Sequence, residues 1–586
     1  MNDQQDPPEQ KGTEQPEQTE AAVPEPEPVA APEAAQSEPT PETIEAEIEA
    51  PPAEEETEQP EAPPPVFTER AEKEQAPAEA GCLVLMHEAR WCGRPVYAAR
   101  RLTVDKEPVC LMHSKNPYKS DEEFQKEFER ILAAAADGVA DFTGFAFPRA
   151  AYQDRRFAAH CIFKGAMFRD LAVFVGATFT RDAHFFMATF TEDADFSGAK
   201  LRLAAGFTGA TFTQRAFFRG ATFTQGAGFV GARFMRHADF RGATFTQEAV
   251  FHGATFTQDA DFSEATFAGA TDFRHAVFGG TARFAPSAKS EGEEAKPCEF
   301  KDRVLFQDAR FQDYVDFRGA VFGESANSTA RPVFSLARFE KPERVTFYKT
   351  WLGQTLFVNC DVSKLSFSGV EWGRDGERVR LYEETVALDD ETAGALKAPV
   401  GSRDERNYRL IAETYHQLKN NYDSRGDPWT ANDFHYGEME MRRRSSRWPR
   451  IGLTALYKYA SQYGLSMARP LAWLAGVLLL FTLLYPLAGL RPVAARTQAT
   501  LPVTQVKPIA YWNLPEATGW LPRPVRLVGH SFMTTLAVAS LQREAAYYEP
   551  AYGLGRFLGI LELALTSTLA ALFILAVRRQ FKRGGD

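Results

Sequence analysis

The stretch Gly242–Phe262, GATFTQEAVFHGATFTQDADF, decides the architecture of the middle of this chain. Phe stands at 245, 251, 256 and 262, with an Ala two places before each. A helix repeats about every 3.6 residues and a strand about every 2, so neither produces intervals of six, five and six. Working outward, aromatic positions alternate five and six without a slip from Phe163 to Phe284, with Leu201 filling the one gap. That makes eleven copies of an eleven-residue unit, with Cys161 and Thr271 as departures from Ala. A fixed repeat of this kind predicts a solenoid.

The physical reading is a coil with four short sides, each placing one Phe and one Ala inward. Thr, Gln, Asp and Arg then face outward, and the extra residue of every second side bulges at a corner. Two eleven-residue units close one turn, so Phe223, Phe245 and Phe267 form a structural ladder at the roughly 4.8 Å spacing of paired strands. The A-x-F triplets, such as Ala243-Thr244-Phe245 and Ala260-Asp261-Phe262, resemble the pentapeptide-repeat family. The resemblance implies an all-β right-handed quadrilateral β-helix over residues 139–372. Plain five-residue spacing returns at Phe357, Val362, Phe367 and Trp372, and residues 285–299 and 323–333 break the beat as expected loops. Cys161, Cys298 and Cys360 fall in the Ala slot, where they serve as small hydrophobes.

Charge is unevenly placed. The chain of 586 residues carries −12, yet residues 1–80 hold 23 acidic against 3 basic residues, leaving the remainder at +8. The Pro/Glu/Ala-rich segment 1–79 has too little apolar surface to offset chain entropy and is expected to be disordered. It shows no basic-then-apolar pattern of a cleavable signal. Residues 163–284 hold twelve basic and eleven acidic side chains. This mixed surface lacks the acidic field that lets some pentapeptide-repeat proteins mimic DNA, and it offers no basic stripe for nucleic acid.

Near the other end, Leu471–Leu490 has no charge and Phe557–Val577 only Glu562. Each matches the roughly 20 residues a helix needs to cross a bilayer. Arg442, Arg443, Arg444, Arg447 and Arg450 precede the first span, while Arg578, Arg579, Lys582 and Arg583 follow the second. Positive-inside counting puts both termini and the β-helix in the cytoplasm of an integral membrane protein. Glu562 is expensive in lipid, so it faces protein or water, or else packs or snorkels near the interface.

Cys82, Cys92, Cys110 and His113 are spaced C-x9-C-x17-C-x2-H within residues 80–118. Three thiolates and an imidazole suit a structural zinc, with His87 as a spare ligand and free packed thiols as the other reading. Similar short Cys/His segments precede the repeats in some pentapeptide-repeat proteins. Residues 119–138 read as a helix leading into the solenoid, and 373–402 as a linker. Over 403–448, Tyr408, Ile411, Tyr415 and Leu418 recur at helical spacing, and Gly426-Asp427-Pro428 joins a second helix, giving a hairpin. A basic juxtamembrane stretch and the first span occupy 449–490, and the second span with its basic tail occupies 557–586.

Between the spans, residues 491–556 contain HSFMTTLAVASLQ at 530–542, a Ser/Thr-rich apolar piece. Span, short re-entrant helix and span resemble a two-span pore module, but no T-V-G-Y-G-type filter run is present. No P-loop, dinucleotide fingerprint or nucleophile–His spacing emerges, and His184, His237, His252 and His275 fall at outward, solvated positions. The expectation is therefore a non-enzymatic, membrane-anchored scaffold that contacts lipid and a protein partner, with homo-oligomers compatible. A channel-like pore regulated by the β-helix is the alternative, and a soluble regulator of a nucleic-acid enzyme requires that the apolar runs not span.

Overall fold

The computed structural model describes residues 81–97, 105, 107–287, 296–323, 329–376, 378–388, 391–493, 507–516, 520–542 and 548–581. The acidic segment 1–79 lies outside them. From Val139 to Ser368 the chain runs through two- to four-residue strands that deal themselves in turn to four parallel sheets of nine, nine, ten and eight strands. Each strand pairs with the one a full coil later, as Thr222 with Thr244 and Thr244 with Thr266.

Sterics explain the composition. The Phe and Ala of each side are fully buried, and the column Phe223, Phe245, Phe267, Phe300 stacks at 4.8 Å per step with planes within 3°. The strand spacing sets that rise, and each stacked pair is worth about 1 kcal/mol beyond its burial. Columns from opposite sides meet edge-on across the core, Phe240 to Phe251 at 5.5 Å and 89°. The slot facing each ring accepts only a small side chain, hence Ala.

The two side lengths turn their corners differently. On a five-residue side, Phe240-Arg241-Gly242-Ala243 forms a tight turn closed by Ala243 N–H to the Phe240 carbonyl at 3.0 Å. Gly242 there has φ +65°, the left-handed value a type II turn requires at its third residue. On a six-residue side, Thr246, Gln247 and Glu248 are all exposed, so the added residue lies outside the core.

Two departures from the sequence reading concern the corners and loops. The repeat pattern predicts outward Asp side chains directly before Phe, but Asp239, Asp261, Asp272 and Asp316 are buried. Each accepts the backbone N–H two residues on, at 2.8–3.0 Å, and so folds over its own corner. Arg241, Arg274 and Arg318 then pair with these carboxylates. The expected loops also end earlier, because Glu299–Phe300 and Pro332–Val333 are strands; residues 288–295 and 324–328 lie outside the described residues.

Both ends of the coil are covered. At the start, α1 (Asp121–Ala135), capped by Ser120, buries Phe124 against Phe147 at 5.2 Å and Phe128 against Phe142 at 4.7 Å. At the far end, α2 (Tyr408–Ser424) and α3 (Pro428–Arg444) form the hairpin, with Asp427 accepting from Trp429 N and Thr430 N. The short α4 (Leu453–Ser461) leads to α5 (Ala468–Ala488), followed by α6 (Arg523–Ala539) and α7 (Gly553–Phe581). A small antiparallel ribbon, Leu490–Pro492 with Tyr548–Pro550, joins the end of α5 to the start of α7.

Candidate functional site

Cys82 and Cys92 lie on the two arms of a short hairpin, held by Cys82 N–H to the Arg94 carbonyl at 2.8 Å and Cys92 N–H to the Val84 carbonyl at 2.9 Å. Val96 bridges to Cys110, adding a third arm. The chain then turns through Cys110–Ser114, with His113 N–H and Ser114 N–H both on the Cys110 carbonyl, so Cys110 and His113 share one turn.

The four donors converge. Cys82 Sγ and Cys110 Sγ lie 3.3 and 3.2 Å from His113 Nδ1, and Cys92 Sγ is 3.8 Å from Cys110 Sγ. Zinc–ligand bonds of about 2.3 Å to sulfur and about 2.0 Å to nitrogen give tetrahedral edges of roughly 3.8 and 3.5 Å, close to these separations. His113 Nε2 meets the Thr143 carbonyl at 2.9 Å, which fixes the tautomer with Nδ1 facing the sulfurs. Burial lowers the His113 pKa, but bonds from Cys82 and Cys92 outweigh it and raise the value to about 9. The Cys92 thiol is held well below its usual range, first by Cys110 and then by Cys82, and Arg94 Nη1 donates to it at 3.3 Å. His87 is outside this set. It sits exposed on a 3-10 turn, its backbone N–H on Asp141.

Lys119, which the sequence did not single out, is buried beneath the centre. Its ammonium donates to the carbonyls of Leu111, Met112, Ser114 and Ala146, tying the Cys/His segment to the first coil.

The hairpin α2–α3 closes the last coil with a polar stripe. Gln417 accepts Val362 N–H at 3.0 Å, Asn421 donates to the carbonyls of Val362 and Leu365, and Arg425 donates to Phe367. Gln417, Asn421 and Arg425 recur every four residues along α2 and its C-cap, a spacing visible in the sequence. Beyond them, Glu440 of α3 receives Arg443 at 2.7 Å, Lys458 of α4 at 3.0 Å and the Tyr463 hydroxyl at 2.9 Å. Arg579 of α7 donates to the Tyr463 carbonyl at 2.8 Å.

The helices α5 and α7 are long and apolar enough to cross a membrane, and only 28% and 22% of their apolar windows are buried, unlike core helices. Glu562 is fully buried, and the Tyr485 hydroxyl donates to it at 2.5 Å. Nearby, Ser531 of α6 donates to the Thr482 carbonyl, and the Thr482 and Thr535 hydroxyls lie 3.5 Å apart. On the solenoid surface, His184 is half-buried, and its imidazole titrates below the usual value through burial and then His160.

Residues 207–255 and 251–285 each match the family model described as pentapeptide repeats (9 copies). The matched residues lie in the middle coils of the four-sheet, Phe-cored solenoid, which there carries pentapeptide repeats. No curated protein and no solved structure matches the chain.

Proposed function

We propose that this chain is a membrane-anchored, non-enzymatic scaffold whose right-handed β-helix presents flat faces to a protein partner at the cytoplasmic surface. The observation that carries the reading is mechanical continuity. The hairpin bonded to the last coil connects through Glu440 and Tyr463 to α4 and to Arg579 at the end of α7. A solenoid so joined moves with its anchor.

Lipid contact extends to α4 and its approach. Trp448, Ile451, Leu453, Leu456 and Tyr459 are exposed there among Arg447, Arg450 and Lys458, a pattern suited to an anionic interface. The Cys82, Cys92, Cys110 and His113 set suits one zinc with every position filled by protein, a structural role that stiffens the solenoid's N-terminal cap. The near-neutral surface favours protein over nucleic acid, and assembly with a second copy would use the lipid-facing helices.

One observation favours a second reading, a channel-like pore: hydroxyls and a carboxyl are buried between α5, α6 and α7. Their bonds to one another favour a packed bundle instead. The test is alkaline carbonate extraction combined with ion flux in liposomes. The scaffold reading expects the chain to stay in the membrane fraction and the liposomes to stay tight. Release by carbonate overturns the anchor, and flux abolished by Glu562→Ala establishes the pore.

A further inference from the structure

The solenoid surface carries a second cluster of metal-ligating side chains, separate from the thiolate centre. His160 opens the strand His160–Ile162 and His184 closes Ala183–His184 in the coil above. Their parallel register sets Cys161 beside Ala183, so His160 lies level with Asp182. His160 Nε2 is 3.3 Å from His184 Nδ1, the rings are perpendicular, and Asp182 Oδ2 lies 3.7 Å from His160 Nδ1. One donor atom from each residue falls within 4.8 Å of the others.

We propose that His160, Asp182 and His184 bind a divalent transition ion of the zinc or nickel type, using imidazole nitrogen and carboxylate oxygen. Two nitrogens about 2.0–2.1 Å from one ion stand roughly 3.4 Å apart in a tetrahedral site, close to the separation here. Imidazole ligands select such ions over magnesium or calcium. The site is also held in place. The His184 ring stacks on Phe186 at 4.6 Å, and Phe186 lies over Gly206, where a Cβ would meet its ring at 2.1 Å. Asp182 Oδ1 accepts Ala204 N–H at 3.0 Å, which leaves Oδ2 to face His160 from its Nδ1 side. With three protein donors, at least one coordination position is open, so this centre differs from the closed thiolate set.

The same solenoid contains an internal comparison. His252, Asp272 and His275 also approach one another, with His252 Nδ1 3.7 Å from Asp272 Oδ2 and the rings 5.2 Å apart. There, however, Arg274 pairs with Asp272 through two nitrogens, at 2.8–3.1 Å, and occupies the carboxylate. A cation already sits where the metal would bind.

The experiment uses the full chain in detergent, stripped of metal under reducing conditions and titrated with cobalt(II) and then zinc(II). We expect about two zinc per chain, one giving the thiolate-to-cobalt charge-transfer band and one lacking it. The double variant H160Q/H184Q should lose the equivalent without the band and keep the other, whereas H252Q/H275Q should keep both. Replacing Cys82, Cys92 and Cys110 together by Ser should remove the band and leave the second equivalent, which separates this proposal from the zinc reading above. Should the double variant misfold by circular dichroism, Asp182→Asn on the intact histidines should weaken the second equivalent about 10-fold or more. Retention of both equivalents by H160Q/H184Q, unchanged affinity in Asp182→Asn, or no equivalent beyond the thiolate centre overturns the proposal.

Discussion

The indole N–H of Trp372, the last inward residue of the solenoid, donates to the hydroxyl of Tyr422 on α2 at 2.9 Å. Phe434 of α3 packs edge-on against the same indole at 5.3 Å. This joint converts an exposed sheet end into an interior, removing the unpaired edge that an open solenoid would present.

Asn421 supplies much of that cover, so Asn421→Ala should orphan the buried carbonyl of Val362 and leave that of Leu365 to Arg425 alone. The expected loss is on the order of 2 kcal/mol. Amide exchange should accelerate in residues 362–368 while the central coils remain protected. Unchanged exchange there would show that the hairpin is not what closes the coil.

Phe245 tests the ladder itself. Its ring is fully buried between Phe223 and Phe267, so Phe245→Ala leaves a cavity that the rigid coil cannot collapse around. Unfolding by denaturant should show a loss of about 3–5 kcal/mol. Phe245→Leu should cost less, since Leu201 occupies the equivalent place two strands earlier in the same sheet.

Glu383 makes stability depend on pH. Burial raises its carboxyl to about 7, while the Phe357 N–H donates to it at 2.7 Å. The folded chain thus holds a proton that the unfolded chain releases near 4.5. Stability from this group is complete below 4.5 and is lost as pH rises through 7, by on the order of 3 kcal/mol. Glu383→Gln should flatten the thermal-shift profile between pH 4.5 and 7, and an unaltered slope there would assign the effect elsewhere.

Glu440 has the opposite sign. Burial opposes its ionisation, but Arg443, Lys458 and Tyr463 outweigh that and hold the carboxyl at about 2. Its contribution is present above 4.5 and fades as pH falls toward 2. Glu440→Ala would leave Lys458 and Arg443 without this partner and loosen α3 from α4. Limited proteolysis should then cut between residues 445 and 452 several-fold faster, with the solenoid intact.

Lys119→Met should remove donors from the carbonyls of Leu111, Ser114 and Ala146 beneath the thiolate centre. We expect the cap to open first, seen as faster alkylation of Cys82 and Cys110 at unchanged reactivity of Cys298. Equal alkylation in both proteins would show that the cradle does not secure the cap.

The solenoid was legible in the sequence because each side of a coil solves the same local problem. One ring and one small residue must point inward, and the next copy of that side lies one coil ahead at a fixed offset. Repetition therefore writes the contact map into the spacing of Phe and Ala. The convergence of Cys82, Cys92 and Cys110 was foreshadowed by residue type, since thiols and an imidazole at close spacing have few other uses. The fourth position was fixed by C-x2-H on a single turn.

Other features have no such repetition behind them. Asn421 meets Val362 across 59 residues and Tyr485 meets Glu562 across 77, each a single pairing with no second copy to reveal it. The buried aspartates looked like any solvated charge until the corner folded each one onto its own backbone. His160 and His184 belong to adjacent coils of the repeat, but only the stacking of those coils brings their nitrogens to 3.3 Å. Periodicity, being local and repeated, determined the coil. The caps, the link to the apolar helices and the histidine cluster were decided by tertiary structure, because each depends on one unrepeated encounter between distant parts of the chain.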